Sequence, residues 1–564
     1  NFGVGTFTRK GRTGFPITVT QVSDLIAGTS GPLIDARRYT LFTDAVAAAV
    51  GKTLLVAAAV SLNANTTIGV SISLLVLQSG VISANGFTLT IDGPVVGNPM
   101  HHWLSGFAAG NVLFGTNSLG KVPVAYTEWF GASAVAYGST PNDDSVAIQT
   151  AISSGADVQL LKGRYGFATA LTMSKDGQAV RGSGRYLLAD NNGGTILTRK
   201  SGFSGAGITI GPFVGQELSN MVLDGGNLDG GTNGNLLNLN VAQYPNVRDL
   251  RIINCGGDDA AMVMTSVSIG LLETIDFANN YADLYLSNTS YGNLYCIFNQ
   301  ISFGAGANNT QYGLNVDGGE GNVFNSMYSN RQIQVKGGTT VGDAITFNDL
   351  RTEFNTTETG TTGPQIKIWG TAGGNLKNVR INGHKHIQND ATTALFMEVT
   401  AVYGFEYNNV NFIDTGSAAG RDLIQLDGLL LGNLHDIQVY NTSGNNADLI
   451  VSTGTRSDDI KMSNIMGTGG TILTCDWKST RLKLENMGAS VNHTFQAGTG
   501  SVSWENVTGT ITTTNMTESF MPIKDGVTAP TAITGIAQIF VDTADGDLKI
   551  IYGDGTVKLI VVDT

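Results

Sequence analysis

The sequence has little charge and no long apolar run, and these two shortages exclude several classes of protein. Only 14% of its 564 residues are charged, and 45 acidic residues against 32 basic ones give a net charge of −13. A chain of this sign repels phosphate backbones, so nucleic acid is not a predicted partner. No apolar run reaches the ~18 residues that a membrane-spanning helix needs, so no membrane span is predicted.

Cysteine and histidine are also scarce. The three cysteines, Cys255, Cys296 and Cys475, are odd in number and lie on or beside predicted strands, which favours buried thiols over a disulfide framework. The six histidines are scattered, and neither CxxC nor HExxH occurs. The sequence therefore predicts no metal and no other cofactor.

In place of these features the sequence has a repeated phrase. Leu218–Leu223 returns as Val247–Asn254, as Leu376–Asn382 and as Leu434–Asn441, and looser copies start near Leu271, Leu294, Val323, Phe347, Phe405, Ile460, Leu482 and Val502. Steps of 20 to 29 residues between copies are typical of a solenoid. Each phrase alternates apolar and polar residues, which predicts a strand with one buried face, and a second short strand follows most copies. The absence of a helical half in the repeat favours an all-β parallel β-helix, with many of the 74 glycines at its corners.

Two short helices are predicted ahead of the repeats. Thr43-Asp44 precedes an Ala-rich helix over 45–50, and Asn142-Asp143-Asp144 precedes a helix over 145–152. An acidic residue before a helix can accept its free N–H groups. The second helix is predicted to cover the open end of the β-helix and so to protect the strand edges of its first coil.

This second helix begins a longer pattern with a known counterpart. Asp143-Asp144-Ser145-x-Ala147-Ile148-Gln149-x-Ala151-Ile152, followed by Val158-x-Leu160-x-x-Gly163-x-Tyr165, resembles the opening of pectate-lyase-superfamily β-helices, which is common in bacteriophage tailspike depolymerases. The preceding Val122–Ala132 and the C-terminal segments 538–542, 545–550 and 554–558 are also similar to tailspike and tail-protein modules. The resemblance implies a right-handed β-helix in a coaxial homotrimer on the virion. It also implies cleavage of a bacterial surface polysaccharide, either O-antigen or capsule, outside the host cell.

Three domains are predicted on this basis. Residues 1–125 would be an N-terminal stem or head, residues 126–518 the β-helix with its glycan groove, and residues 519–564 a β-rich trimerisation module with turns at Asp545-Gly546 and Asp554-Gly555. The alternative for the last segment is a hairpin that caps its own chain. Since the chain begins with Asn1 rather than Met, a preceding segment that joins the phage tail or baseplate is also predicted.

The outward positions of stacked strands form columns, and two columns of the second strand could bind sugar. One comprises Val263, Tyr285, Asn315, Gln334, Lys367, Glu398 and Gln425, and the other Thr265, Ser287, Asp317, Lys336, Trp369, Thr400 and Asp427. Outward Tyr285 and Trp369, beside amides and charges, suit a sugar platform, although contact with a neighbouring subunit would also explain them. Asp317 is a further candidate catalytic carboxylate, and a surface ion pair with Lys336 is its alternative role.

Two other groups of residues are candidates for catalysis. Asp259 and Asp283 lie in consecutive repeats, and one coil step plus two residues separates them by roughly 8 Å, inside the ~6.5–9.5 Å window of inverting glycosidases. Gly257-Asp258-Asp259 resembles the Gly-Asp-Asp of polygalacturonase-type hydrolases, though Ala260-Ala261 follows it here, and a solvated turn is the alternative. The other group places the candidate catalytic Glu353 beside Arg351 and beside Arg380 of the next coil, with Arg331 and His384 at neighbouring corners as substrate contacts.

Four functions remain open at this point. Hydrolysis by paired carboxylates is preferred. A lyase acting by β-elimination on a uronic acid is the second choice, since its base and cation could come from Lys367, Tyr285, Arg331, Arg351, Arg380 and His384. A non-catalytic glycan-binding adhesin would use the Tyr285 and Trp369 face alone. A purely structural tail spacer would bind no glycan.

Overall fold

The computed structural model of the protein describes residues 32–115, 122–185, 193–203, 205–226, 234–256, 260–287, 292–304, 311–337, 342–354, 364–370, 376–388, 396–414, 421–441, 447–451, 458–468, 473–477, 481–488, 491–495, 501–507, 511–513, 524–527, 532, 538–542 and 547–561. The chain divides into two compact units, residues 1–314 and residues 315–564. No helix in these ranges is long and apolar enough to cross a membrane.

The first unit begins with a small parallel solenoid. Its strands form three parallel sheets, in the orders β1-β2-β5-β8, β3-β6-β9 and β4-β7-β10. The bounds are β1 Leu33–Asp35, β2 Thr53–Val56, β3 Ala59–Ser61, β4 Thr66–Ile68, β5 Ser73–Val76, β6 Val81–Ser83, β7 Leu89–Ile91, β8 Val95–Val96, β9 Leu104–Ser105 and β10 Val112–Phe114. Alternate residues such as Leu54, Leu74 and Leu89 are fully buried between the sheets. The described part of the predicted stem or head therefore has its own coiled core.

Helix α1 of this solenoid spans Phe42–Ala48 and follows a 3₁₀ turn at Ala36–Arg38. It starts three residues before the predicted Ala45 (45 − 42), and Asp44 lies in its first turn rather than before it. Phe42, Ala45 and Val46 are buried, because they share one face of the helix.

Helix α2, Ser145–Ser153, was predicted within one residue at its C-terminal end. Asp143 accepts hydrogen bonds from the backbone N–H and the hydroxyl of Ser145 at 3.1 and 2.5 Å. Asp144 instead accepts the backbone N–H groups of Ser133 and Gly166 at 2.9 and 3.2 Å, and so ties three segments together. The helix does not cover an open end, because Ser154 at its C-terminus accepts a hydrogen bond from the N–H of Phe114 in the preceding solenoid at 2.8 Å.

The larger coils of the first unit contribute strands to two parallel sheets. The first sheet has the order β11-β12-β13-β15-β16-β18-β20-β22-β24 and the second β14-β17-β19-β21-β23. The bounds are β11 Val124–Tyr126, β12 Asp157–Gln159, β13 Gly163–Phe167, β14 Leu171–Thr172, β15 Ala179–Arg181, β16 Thr195–Arg199, β17 Ile208–Ile210, β18 Glu217–Asp224, β19 Leu237–Asn240, β20 Asn246–Ile253, β21 Ala260–Thr265, β22 Leu271–Ala278, β23 Ala282–Ser287 and β24 Ile297–Phe303, with a 3₁₀ turn at Thr127–Phe130.

The second unit repeats this arrangement. Its first sheet has the order β26-β27-β29-β30-β32-β34-β36-β38-β40-β42 and its second β25-β28-β31-β33-β35-β37-β39-β41-β43. The bounds are β25 Leu314–Asp317, β26 Val323–Asn325, β27 Tyr328–Ser329, β28 Ile333–Lys336, β29 Gly342–Asp343, β30 Thr346–Phe354, β31 Ile366–Trp369, β32 Leu376–Gln388, β33 Met397–Thr400, β34 Val402–Asp414, β35 Arg421–Asp427, β36 Leu430–Asn441, β37 Ala447–Val451, β38 Asp458–Thr468, β39 Leu473–Trp477, β40 Arg481–Met487, β41 Val491–Phe495, β42 Ser501–Val507 and β43 Ile511–Thr513.

The predicted all-β, right-handed parallel β-helix is confirmed. Crossover connections between parallel strands of one sheet are right-handed in nearly all proteins. The cores of both units consist of inward Leu, Ile, Val, Phe and Met side chains, as the alternating phrases predict. The thiols of Cys255 and Cys296 are buried, also as predicted, and burial raises the pKa of the Cys296 thiol to about 11. The side chain of Cys475 lies outside the described residues.

Asparagines stack along the outside of the second unit. Asn348 donates to Asn325 at 2.9 Å, Asn382 donates to Asn348 at 3.0 Å, and Asn408 donates to Asn382 at 2.7 Å. One amide from each coil thus satisfies the next, which is the ladder expected of an Asn-rich solenoid.

The C-terminal strands differ from the rest in direction. Strand β44, Lys524–Val527, pairs in parallel with β45, Gln538–Asp542, and β45 pairs antiparallel with β46, Leu548–Ile551. Strand β46 in turn pairs antiparallel with β47, Val557–Val561, through the predicted turn at Asp554-Gly555. The other predicted turn, Asp545-Gly546, lies outside the described residues, and trimerisation by this module stays a prediction.

Two residues of the opening motif form a buried polar pair. The hydroxyl of Tyr165 donates to Oε1 of Glu128, and the hydroxyl of Thr127 donates to Oε2 at 3.2 Å. Burial is the main cause of a raised pKa for both the Glu128 carboxyl and the Tyr165 phenol. The motif therefore has a structural basis, because it closes the first coil of the larger β-helix.

Replacing Tyr165 with Phe is expected to destabilise the first unit by about 1–3 kcal/mol, since a buried carboxylate loses one of its donors. Thermal denaturation followed by circular dichroism would measure the change. The matched control is Tyr137→Phe at a side chain that is 45% exposed, where the expected change is within about 0.5 kcal/mol. Equal midpoints for the two variants would contradict a stabilising role of the pair.

Candidate glycan-binding and catalytic site

The two predicted outward columns of the second sheet are present in the second unit. Gln334 pairs with Lys367, Lys367 with Glu398, and Glu398 with Gln425 along adjacent strands. The other column runs from Lys336 through Trp369 and Thr400 to Asp427. The strands β28, β31 and β33 have four residues each with inward residues buried and outward ones half-buried, so their side chains stay in phase from coil to coil.

These columns carry a mixed surface that we call the tryptophan face, comprising Lys336, Lys367, Trp369, Glu398, Thr400, Gln425 and Asp427. The Lys367 ammonium lies 5.4 Å from the centroid of the Trp369 ring and 3.2 Å from Oε2 of Glu398. Thr400 donates to Oε1 of Glu398 at 3.5 Å. Asp317 forms an ion pair with Lys336 at 2.9 Å, which is the alternative role predicted for it. The arrangement therefore places an aromatic ring beside cations and carboxylates on one outward face.

Two carboxylates of this face were not selected from the sequence as catalytic residues. Glu398 pairs with Gln425, and Asp427 lies two residues beyond Gln425 on the adjacent strand. One strand spacing of ~4.8 Å and two residues of ~3.3 Å each put their Cα atoms roughly 8 Å apart, on the same outward face of neighbouring coils. Oδ1 of Asp427 is buried and has no hydrogen-bond partner within the described part of the chain. The column pattern already contained both residues.

A second group of predicted residues meets on the first sheet of the second unit. The hydroxyl of Tyr328 donates to Oε2 of Glu353 at 3.2 Å, and Nη2 of Arg351 lies 3.9 Å from the same oxygen. The Arg351 guanidinium also lies 5.6 Å from the Tyr328 ring centroid. Burial and the nearby Glu353 carboxylate raise the pKa of Tyr328, so this phenol is a poor candidate for a base.

Arg380 does not join this group. The register pairs it with Thr346, whereas Arg351 pairs with Lys385 and Glu353 with Ile387. Nε of Arg380 instead lies 3.2 Å from Oε2 of Glu406, in the next coil. The predicted position of Glu353 between two arginines is therefore wrong, because the strands stack with a different offset.

Three predicted site residues are buried rather than accessible to a substrate. Asp283 is 0% exposed, lies within strand β23 and accepts a hydrogen bond from Asn280 at 2.9 Å. Arg331 is 2% exposed, next to Ser329, whose hydroxyl accepts its backbone N–H. His384 is 1% exposed and lies in the middle of β32 rather than at a corner. The predicted substrate contacts of Arg331 and His384 are wrong on this geometry, since neither side chain faces solvent.

His384 belongs to an interior hydrogen-bonded chain. The hydroxyl of Thr352 lies 2.9 Å from Nε2 of His384 and 2.8 Å from Nδ1 of His386, and Nδ1 of His384 lies 2.7 Å from the hydroxyl of Tyr407. Burial holds the pKa of His384 well below its ordinary value and raises the pKa of Tyr407. This group satisfies its own polar atoms and has a structural role.

The remaining predicted residues are in the first unit. Asp258 and Asp259 lie outside the described residues, so the substrate contact of Asp258 and the catalytic role of Asp259 stay predictions. The predicted catalytic role of Asp283 is wrong, because its side chain is fully buried. Tyr285 is outward and half-buried, and it pairs with Val263 as the column pattern predicts. Within the described ranges, no three His, Cys, Asp or Glu side chains converge as metal ligands would.

Comparison with known proteins gives likenesses in structure only. No family model matches the sequence, and no curated protein matches it. The chain is similar to the ORF18 protein of Geobacillus virus E2, with 14% identity over 78% of this chain and 87% of that one at a TM-score of 0.31. It is similar to a family 28 exopolygalacturonase of Yersinia enterocolitica, with 12% identity over 71% and 79% of the two chains at a TM-score of 0.33. It is also similar to tailspike protein 3 of bacteriophage CBA120, with 12% identity over 78% and 69% at a TM-score of 0.28.

Proposed function

We propose that this protein is a phage tailspike that binds a bacterial surface polysaccharide on the tryptophan face and hydrolyses it there. The observation that carries the proposal is the combination, on one outward face, of an aromatic ring with two carboxylates in adjacent coils. The opening motif supports the tailspike assignment, and the homotrimer and the attachment to a phage tail are proposed with it.

The carboxylates would divide the work of an inverting hydrolase. Glu398 is ion-paired with Lys367 at 3.2 Å, and an ionised carboxylate can serve as the base that activates water. Asp427 would then be the acid that protonates the leaving oxygen. Trp369 would stack on the sugar next to the cleaved bond, and Lys336 and Gln425 would bind hydroxyl groups.

The proposal is tested by incubating the protein with purified O-antigens and capsular polysaccharides and by measuring the masses of the products by mass spectrometry. Hydrolysis adds one water for each bond that is cut. Fragments that lack the added water and absorb in the ultraviolet would identify a lyase instead. Binding without fragments would identify an adhesin. If the protein neither binds nor cleaves any glycan on a panel that includes that of the host, only the structural tail spacer remains.

Replacing Trp369 with Ala is expected to weaken polysaccharide binding by about tenfold or more, because the sugar loses its contact with an aromatic ring. Aromatic contacts contribute ~1 kcal/mol in addition to the free energy of burying their surface. Isothermal titration with the bound polysaccharide would measure the affinity. The control is Tyr403→Ala, which removes another exposed aromatic ring from the second unit, on its first sheet. Equal losses in both variants would place binding elsewhere.

A further inference from the structure

A turn in the first unit carries exposed apolar residues in an unfavourable backbone conformation. It joins the second sheet to the first in successive coils, and it contains Tyr244, Ile269 and Tyr295 with φ angles of 53°, 53° and 54°. The three side chains are 53, 47 and 52% exposed. We call these three residues the turn stripe.

Backbone contacts stack the turn stripe one residue per coil. Gln243 bridges to Ser268 and Ser268 to Leu294, each immediately before a stripe residue. The N–H of Tyr244 donates to the carbonyl of Ser268 at 2.9 Å, and the N–H of Ile269 donates to the carbonyl of Leu294 at 2.8 Å. The three side chains therefore follow one another at the ~4.8 Å spacing of neighbouring strands.

The residue types in the stripe are not explained by the fold. A left-handed backbone favours Gly and Asn, and it is a clear outlier for a β-branched residue such as Ile269. The preceding coil has Gly215 in this turn, with a φ of 69°. Nearby left-handed positions carry mostly polar residues, namely Asn220, Asp249, Thr274 and Gln300 on the first sheet and Val241 and Ser266 earlier in the same turns. Three bulky side chains at these positions cost backbone energy, and about half of each is in water, which favours a contact with a ligand.

We propose that the turn stripe is a second glycan-binding site, which binds sugar units of the same polysaccharide independently of the tryptophan face. The proposal rests on the function proposed above. The two tyrosines combine a ring face for sugar C–H groups with a hydroxyl for hydrogen bonds. Gln243, which immediately precedes Tyr244 and is exposed, offers an amide for sugar hydroxyls.

The size of the stripe favours a polysaccharide over a second copy of the chain. Large aromatic side chains present 150–250 Å², so three residues that are about half exposed offer roughly 300 Å². A stable protein interface needs about 800 Å² from each partner. A column one side chain wide, repeating at every coil, instead suits a narrow linear ligand.

The test is the triple variant Tyr244→Asn, Ile269→Asn and Tyr295→Asn, because Asn adopts the left-handed backbone with little strain and should preserve the fold. Its midpoint of thermal unfolding is expected to equal or exceed that of the native protein. Its affinity for the long polysaccharide is expected to fall by about tenfold, while its affinity for the shortest product fragments stays unchanged. Val146→Asn, at a helix side chain that is 68% exposed, is the control.

Other outcomes would overturn the inference in distinct ways. If Trp369→Ala abolishes polysaccharide binding but the triple variant keeps its affinity, glycan binding by the turn stripe is refuted and glycan binding by the tryptophan face is supported. A lower molar mass of the triple variant in light scattering would show that the stripe is an interface between copies. A native protein that binds no polysaccharide would refute both the stripe and the proposed function.

Discussion

Replacing Asp427 with Asn, or Glu398 with Gln, is expected to slow polysaccharide cleavage by about 10²–10⁴-fold, the range that a positioned acid or base contributes. Both substitutions keep the shape of the side chain and remove its ability to transfer a proton. Both residues are outward, so binding and thermal stability should change little. Initial rates from reducing-end assays at saturating polysaccharide would give the effect on kcat.

The matched control is Glu485→Gln. Glu485 is an outward carboxylate of the same unit and forms an ion pair with Lys461 at 3.0 Å, as Glu398 does with Lys367. Its substitution breaks a similar ion pair on the first sheet, far along the strand order from the tryptophan face. Full turnover in both Asp427→Asn and Glu398→Gln would remove the pair from the mechanism. The substitutions Asp259→Asn and Glu353→Gln would then be the next to test.

The proposed roles of the pair also predict the stereochemistry of the product. An inverting acid and base hold their carboxyl groups ~6.5–9.5 Å apart with a water molecule between the sugar and the base, whereas retaining enzymes hold them ~5–5.5 Å apart. Proton NMR during the first minutes of cleavage is therefore expected to show a new reducing end of inverted configuration. A retained configuration would contradict the assignment of Glu398 as a base.

The outward columns of the second sheet could be predicted because their strands are short and regular. Strands β28, β31 and β33 have four residues with the pattern apolar-polar-apolar-polar, and alternation alone places Lys367 over Glu398 and Trp369 over Thr400. Nothing in these strands interrupts the two-residue period. The tryptophan face is therefore visible in the sequence, although choosing Glu398 and Asp427 from it required the register.

The first sheet was harder to predict because its long strands bend twice. In β32 the segments Leu376-Lys377-Asn378-Val379 and Ile381-Asn382-Gly383-His384 both place a left-handed residue third. The sequence phrase that starts at Leu434 resembles both segments, and the prediction aligned Leu434 with Leu376. In the structure Leu434 pairs with Tyr407, and Tyr407 pairs with Ile381. The true register therefore differs from the predicted one by five residues (381 − 376).

The same bends reverse which residues face inward. A left-handed residue interrupts the alternation, so the residues after it resume with the opposite phase. His384 follows Gly383, whose φ is 72°, and therefore points inward although the residue type suggests a solvent-facing site. The interior chain of Thr352, His384, His386 and Tyr407 could not be predicted for this reason.

That interior chain predicts a loss of stability in mild acid. Burial, and secondarily the neighbouring His386, hold the pKa of folded His384 well below 6.5. Below pH 6.5 His384 is protonated in the unfolded chain but stays neutral in the folded chain. The free energy of unfolding therefore decreases as the pH falls below this value. The expected slope is about 1.4 kcal/mol per pH unit for each such group.

The variant His384→Gln isolates this effect. Gln cannot titrate but can still hydrogen-bond to the hydroxyls of Thr352 and Tyr407, so the variant should be less stable at pH 7.5 and lose less on acidification. Unfolding midpoints at pH 7.5, 6.5 and 5.5 would give the slopes, where 1 kcal/mol corresponds to about 2–4 °C for a unit of this size. His435→Gln is the control, because His435 is 26% exposed and its Nδ1 lies 2.8 Å from the Asp436 carboxylate. If His384→Gln keeps the native slope while His435→Gln flattens it, the acid sensitivity originates at the surface, and the buried histidine is protonated without unfolding.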